Sequence, residues 1–454
     1  MKISGNLALY FLPVVICLCS SEAMSAAFQL KEQSSSKLGN AFAGYTADAD
    51  DISIMWQNPA AMTMFKGTQS LVSTSIIIPK TELKSSNTSS TFGFTGTGSA
   101  GAQSDIGHDS ILPALYFMYD PGGDKNYRFG LSVNRPYGMK TSYNANAVSR
   151  YSGLTSEIKT ITVSPSLAYQ INDNWSIGGG PQVQHFDIRL TRAINCGEIA
   201  NVNSAAIFGT DGGALDEDCH EDNTADDIAT GFVAGIHANY DRFKLGLAYR
   251  SKVTHDLSGD VRITQSSLVS GIAALSSTAN ELQSQGINAK VTTPENVNIG
   301  ASYDLTPSVT LLADAVWTRW SHLQDLEINY DNNILGQSSR SDTLNYENSW
   351  FLSFGVDYDY NENLTFRGGV AYDWSPIPEE TRSSILPDQD RLWLTAGLGY
   401  NFNQSFSLDL SYAHISADTA LVSKEENVAS AIPAFVGEYD SSVNIFGLQV
   451  DYKF

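Results

Sequence analysis

The sequence predicts an all-β fold, a closed transmembrane barrel of fourteen antiparallel strands, and three observations carry that reading. Along the last fourteen residues, Ser441 to Phe454, the residues Phe446, Leu448, Val450, Tyr452 and Phe454 fall on one side. Ile445, Gly447, Gln449, Asp451 and Lys453 fall on the other. A period of two marks a β-strand with an apolar medium on one face and a polar one on the other, and an aromatic last residue suits a strand ending at a membrane interface. The same texture recurs upstream, for instance where Phe406, Leu408, Leu410 and Tyr412 alternate with Ser407, Asp409 and Ser411. Short turns and long polar loops also alternate between the segments, as periplasmic and external connections do in an outer-membrane barrel. A soluble sandwich or propeller has no reason to sort its loops this way.

Taken in order, the chain opens with Lys2, an apolar run from Leu7 to Cys19, and Ala23-Met24-Ser25. This is the pattern of a secretory signal peptide over residues 1–25, with the mature chain starting at Ala26. Cys17 and Cys19 would leave with it. No later stretch approaches the roughly 18 to 20 apolar residues of a membrane-spanning helix, so any crossing is made by strands. Residues 26–66 are not strand-like: Ser34-Ser35-Ser36, Gly39, Gly44, Asp48-Ala49-Asp50-Asp51 and Asn58-Pro59-Ala60 read as short helical turns and loops. The barrel is expected over 67–454. Its strands are placed near 69–79, 110–119, 127–136, 158–171, 175–190, 228–240 and 243–251, then 297–303, 309–321, 349–360, 364–373, 392–402, 406–415 and 443–454. Tyr119, Tyr169, Trp175, Tyr240, Phe243, Tyr303, Tyr358, Tyr360, Tyr400 and Phe402 gather at the short-turn ends as an aromatic girdle. Phe351, Leu312, Val316 and Trp393 have inward parity, so the lumen is not uniformly wet.

The formal charge of −22 argues against nucleic acid and against a basic patch for anionic lipid. Cys196 and Cys219 are expected to form one disulfide in an exported chain. Residues 195–227 read as a solvated acidic loop whose spacing matches no standard calcium loop. The seven histidines are scattered in no nucleophile or metal arrangement, so neither catalysis nor a cofactor is expected. Arg367 and Asp373 share inward parity on one strand. In the third strand Asn134-Arg135-Pro136-Tyr137-Gly138 sets a proline, which cannot donate to a ladder, beside a glycine, and both signal a break.

Phe28-Gln29-Leu30 with Ser34-Ser35-Ser36 and Leu38-Gly39, then Asn58-Pro59-Ala60 with Met64-Phe65, resemble one known family. Thr365-Phe366-Arg367, Ser375-Pro376 through Pro387-Asp388-Gln389-Asp390-Arg391, and the terminal Asp451-Tyr452-Lys453-Phe454 fit it as well. The chain is similar from Phe28 to Phe454 to the FadL family of outer-membrane long-chain fatty acid transporters. That resemblance implies a Gram-negative outer-membrane barrel, monomeric among lipid and lipopolysaccharide, whose residues 26–66 fold inside as a hatch. Phe28, Asn58, Pro59 and Ala60 match the hatch motifs, with Arg367 and Asp373 as lumen contacts. Substrate would enter by facilitated diffusion through an external apolar groove and leave sideways at Asn134, Pro136, Tyr137 and Gly138.

For the carboxylate the resemblance points to Arg192, since Arg suits bidentate recognition. Asp187 and Arg189 read as the inward set, so Arg192 joins it only if Pro181 introduces a bulge, and Arg189 is the alternate. Where the family has a second basic residue this chain offers Ser341 and Asp342, with Arg340 close by. That departure keeps aromatic or aliphatic hydrocarbons open as alternative substrates. An adhesin or structural barrel and an outer-membrane lipase or protease are the rival classes. Capture by apolar burial, about 0.8 kcal/mol per methylene, predicts affinity that rises with chain length and changes little with salt.

Overall fold

The computed structural model of the chain describes residues 27–89, 105–123, 125–196, 218–266, 282–334, 336–425 and 434–454. The expected signal peptide lies outside the described residues. The strand segments assemble into fourteen antiparallel barrel strands. The first seven are Gln69–Ser89, Ser110–Tyr119, Tyr127–Asn134 continued by Gly138–Ser142, Thr155–Gln170, Trp175–Ile194, Cys219–Tyr240, and Phe243–Arg250 continued by Val253–Thr264. The eighth to tenth are Gln285–Thr293 with Asn296–Thr306, Val309–Thr318 with Asp325–Ile334, and Gln337–Thr343 with Ser349–Asp359. The last four are Leu364–Asp373, Arg391–Asn403, Phe406–Ala417 with Ala420–Lys424, and Ala434–Lys453. The first strand pairs with the fourteenth from Gln69↔Lys453 to Ser89↔Ala434, which closes the sheet into a barrel.

Every expected strand is present, and several run further than their hydrophobic pattern. The sixth begins at Cys219 and pairs with the fifth from Ile194↔Cys219 to Trp175↔Ala238. In this extension the outer face is polar and the buried face also carries polar residues, Glu221 and Asn223, so the backbone ladder continues while the hydrophobic alternation that reveals it disappears. The part of the acidic stretch from Cys219 to Asp227 is therefore strand rather than loop. All ten girdle residues are exposed on the outer surface, and Leu312, Val316, Phe351 and Trp393 are buried inside.

The facing of the fifth strand corrects the parity expectation. Gln182, Gln184, Phe186 and Ile188 are buried while Arg189 is exposed. Arg192 thus belongs to the inward set with no bulge, because the register to the fourth strand is the same on both sides of Pro181 (Val163↔Val183, Leu167↔Gly179). The apolar Phe186 and Ile188 look lipid-facing in sequence; they line an internal cavity instead.

Residues 27–66 lie within the space that the wall encloses, and nearly all are buried. Two short helices, Ser35–Leu38 and Ile54–Gln57, and a 3-10 turn, Pro59–Met64, form this segment. Ser34 caps the first helix, and the Asn58 side chain accepts from Ala60 N at 3.1 Å to cap the turn. Proline at the first position of that turn fits because its missing N–H needs no partner there. Glycines in the wall let the segment approach: a Cβ on Gly178 would sit 2.6 Å from Ala60 N, closer than any side chain tolerates.

Candidate functional site

The wall and the inner segment enclose an apolar outer cavity and a smaller inner pocket of mixed lining. The outer one, a cavity of about 270 Å³, is lined by Phe28, Met139, Ile158, Phe186, Ile188, Leu190, Val291, Leu323, Leu326, Leu344, Tyr346, Ile385 and Leu386. Arg340, Asp342, Thr381, Lys424 and Glu425 supply its polar end. The inner pocket, about 50 Å³, is of mixed character: Leu30, Phe42, Tyr45, Trp56, Pro136, Tyr137, Val316 and Phe351 share its lining with Lys31, Arg250, Asp314 and the amides of Gln29, Gln57, Asn296 and Asn298. Three rings stand between them: Phe28 meets Trp320 with centroids 5.0 Å apart and Tyr137 at 5.9 Å, and Tyr137 meets Trp320 at 6.4 Å. Each comes from a different element, the inner segment, the helical turn Trp320–His322 and the break in the third strand.

That break is where the sequence places it, between Asn134 and Gly138. The inner segment takes over the hydrogen bonds that the strand cannot make. Leu30 N donates to Pro136 O at 2.8 Å, Gly138 N to Phe28 O at 2.8 Å, and Gln33 Nε2 to Arg135 O at 2.7 Å. Asn134 is fully buried and donates to the Tyr116 hydroxyl at 2.7 Å. The second and third strands pair only from Leu115↔Val133 to Tyr119↔Phe129, so Gly138–Ser142 pairs with the fourth strand alone among the described strands. The wall is therefore unzipped beside Pro136 and Tyr137, which also line the inner pocket.

Polar contacts around the circumference hold the inner segment. Asn58 Nδ2 donates to Thr46 O at 2.9 Å and to Ile236 O of the wall at 3.1 Å. Thr46 N donates to Asp314 Oδ2 at 2.9 Å, and the Ser35 and Ser411 hydroxyl oxygens lie 2.9 Å apart. Arg367 bridges Asp50 of the segment at 2.8 Å and Asp409 of the wall at 2.6 Å. Asp48 lies between Lys37 at 3.2 Å and Lys244 at 2.9 Å. Burial alone would lower the Lys37 ammonium, but Asp48 and Asp50 hold it above its ordinary value. Asp373 is buried and makes no hydrogen bond to the segment in the structure; its charge acts on Lys31. On the short-turn side a polar cavity of about 260 Å³ begins beneath the segment, lined by Asp50, Asp51, Arg367, Asp409 and Lys453 among others.

The basic residues do not fall as expected. Arg192 Nε bonds Glu221 Oε2 at 2.7 Å, with Glu221 fully buried, and Arg192 does not line the outer cavity. Arg189 faces outward and pairs with Asp222 at 2.8 Å, which removes it from the site. Arg340 does line the cavity, paired with Asp342 at 3.0 Å. Lys424, which also lines it, carries no signal in the sequence because it lies between the alternating stretches 406–415 and 443–454, outside both. Cys196 and Cys219 form the expected disulfide. It ties the fifth strand to the sixth beside Asp218, which holds Arg150 at 2.6 Å. Among the described residues no cluster of three or more His, Cys, Asp or Glu is placed to hold a metal ion.

Residues 16–454 match the model of one family, described as outer membrane protein transport protein (OMPP1/FadL/TodX). The chain belongs to that family. Among its relatives, a long-chain fatty acid transport protein of Escherichia coli O6:H1 is 29% identical over 455 residues, covering 98% of each chain. Outer membrane protein P1 of Haemophilus influenzae is 27% identical over 472 residues, again with 98% of each covered. A solved Pseudomonas aeruginosa FadL homologue superposes with a TM-score of 0.83 at 24% identity, over 94% of this chain and 99% of that one. The Pseudomonas putida toluene transporter TodX superposes at 0.65 with 14% identity, over 95% and 100%. This member of the FadL/TodX family is thus an outer-membrane protein of a Gram-negative cell, built on the fold those structures share.

Proposed function

We propose that this protein carries long-chain fatty acids across the outer membrane by facilitated diffusion, without covalent chemistry or a cofactor, and that residues 26–66 act as its hatch. The observation that supports this reading most is the sequence of compartments: an apolar outer cavity, a three-ring barrier, and an inner pocket whose wall is unzipped at Pro136 and Tyr137. An apolar chain that reaches the inner pocket meets charged residues and a polar mouth below and an opening toward lipid at the side. Leaving sideways keeps it out of water, which favours that exit by about 0.8 kcal/mol per methylene. The fatty-acid-transporting relatives lend the substrate class.

A second reading, uptake of aromatic or aliphatic hydrocarbons, draws support from Arg192: its charge is neutralised by Glu221 and is not offered to a carboxylate. The discriminating experiment is uptake of labelled oleate and labelled toluene by cells that lack their own transporter and express this chain. Oleate uptake with little gain for toluene upholds the fatty-acid reading. Toluene uptake without oleate replaces it with the hydrocarbon one.

A further inference from the structure

Four charged residues line the polar end of the outer cavity, and they are not equivalent. Arg340 and Asp342 neutralise one another at 3.0 Å. Glu425 is exposed at the rim. Lys424 remains: its ammonium donates to the carbonyl of Thr381 at 2.7 Å, and no carboxylate among the described residues lies within ion-pair distance. The side chain is half-buried at the end of Ala420–Lys424, which pairs with the fourteenth strand through Lys424↔Phe435. Thr381 belongs to the loop between the eleventh and twelfth strands, whose Ile385 and Leu386 form part of the apolar lining. Burial lowers the ammonium's pKa, while the charge of Asp342 acts in the opposite sense.

A cation with no carboxylate of the described residues in ion-pair distance, partly withdrawn from water beside an apolar cavity, is complementary to an anionic headgroup followed by an apolar chain. An uncharged hydrocarbon gains nothing from it. Resting on the transport reading above, we infer that Lys424 is the specificity-determining residue of the outer cavity: its ammonium binds the carboxylate of the incoming amphiphile, and the methylene chain lies along Leu344, Ile188 and Phe186 toward Phe28. The role expected of Arg192 thus passes to a residue on the thirteenth strand. Arg192 instead braces the fifth strand against the sixth.

The test is binding of oleate and of oleyl alcohol to the purified full-length protein in detergent, comparing wild type with Lys424→Gln and Lys424→Arg. Barrel integrity is checked by circular dichroism. The expected result is that Lys424→Gln weakens oleate binding about tenfold, the scale of one charge-assisted hydrogen bond. Oleyl alcohol affinity should stay unchanged, and Lys424→Arg should keep oleate affinity near wild type. Equal oleate binding by wild type and Lys424→Gln overturns the inference and leaves the fatty-acid reading intact. A parallel loss of oleate and oleyl alcohol also overturns it, since the residue then acts through the fold. If wild type binds neither ligand, the transport reading falls with it.

Discussion

The ring of Phe28 meets that of Trp320 edge-on, with centroids 5.0 Å apart, and the pair stands between the outer cavity and the inner pocket. Phe28 belongs to the inner segment and Trp320 to the wall, so any movement of the first residues of that segment opens or closes the contact. On the proposed route Phe28→Ala should therefore raise the maximal rate of oleate uptake, and because Phe28 also lines the outer cavity the half-saturating concentration should rise with it. The same change removes a buried ring and should loosen the segment by about 3 kcal/mol. Uptake kinetics in whole cells check this, and an unchanged maximal rate shows that the rings do not limit passage.

Arg367 is the ionic keystone on the short-turn side, within 4 Å of Asp50, Asp357 and Asp409. Arg367→Ala leaves those carboxylates facing one another in a buried place, and breaking such a pair costs about 3 to 5 kcal/mol. Asp50→Asn keeps the cation with two acids and should be milder, by at least about 1 kcal/mol. Limited proteolysis checks the order: the inner segment of Arg367→Ala should be cut much faster than that of wild type, with Asp50→Asn between them.

Glu32 supplies a pH dependence. It is buried in the inner segment, and its Oε2 has no hydrogen-bond partner among the described residues. Burial raises its carboxyl to about 7, against smaller opposing effects of Lys31 and Arg391. An acid whose folded pKa lies above its unfolded one, ordinarily 4.5, favours the seated segment at low pH. That contribution is complete below about pH 4.5 and is lost as pH rises to about 7, amounting to about 3 kcal/mol. Thermal denaturation at pH 5 and pH 8 should show the segment less stable at the higher pH, and Glu32→Gln should remove most of the difference.

The disulfide between Cys196 and Cys219 closes a 23-residue connection in sequence at the external end of the fifth and sixth strands. A double Cys196→Ala, Cys219→Ala variant should still form the barrel, because Trp175↔Ala238 and the pairs above it lie in a long continuous ladder. It should lose about 3 kcal/mol, the usual scale for a loop of this length. Melting temperature under oxidising conditions measures it.

The barrel was legible because lipid imposes alternation wherever a strand crosses it, as along Phe406 to Tyr412, and because short turns such as Asn172-Asp173-Asn174 are written in local chemistry. There Asn172 Oδ1 accepts from the N–H groups of both Asn174 and Trp175 at 2.9 Å. Strand length above the membrane was not legible, since Cys219 to Asp227 carries no apolar face to betray its pairing. The break at Pro136 was visible from proline's missing donor; that the inner segment would supply the replacement bonds from Leu30 and Gln33 was not, because nothing local links residues a hundred apart. The basic site misled for a related reason. An inward set of Asp187 and Arg189 leaves Phe186 and Ile188 on the lipid side, yet those two face an apolar interior as readily as lipid, so hydrophobic alternation alone does not tell the two faces apart there. Wall glycines carry a usable signal for the inner segment, since Gly178, Gly235 and Gly246 all stand where that segment touches the wall.

The most direct test of the central claim, that the inner segment must move for substrate to pass, is to lock it. The Ser35 and Ser411 hydroxyl oxygens are 2.9 Å apart, so cysteines at both positions lie within bridging reach of each other. Cells expressing Ser35→Cys, Ser411→Cys should lose labelled oleate uptake when oxidised and recover it in dithiothreitol, while wild type treated alike keeps its uptake in both conditions. Full uptake by a protein whose cross-link is verified by mass spectrometry would contradict the account, for substrate would then be passing a segment that cannot leave its seat.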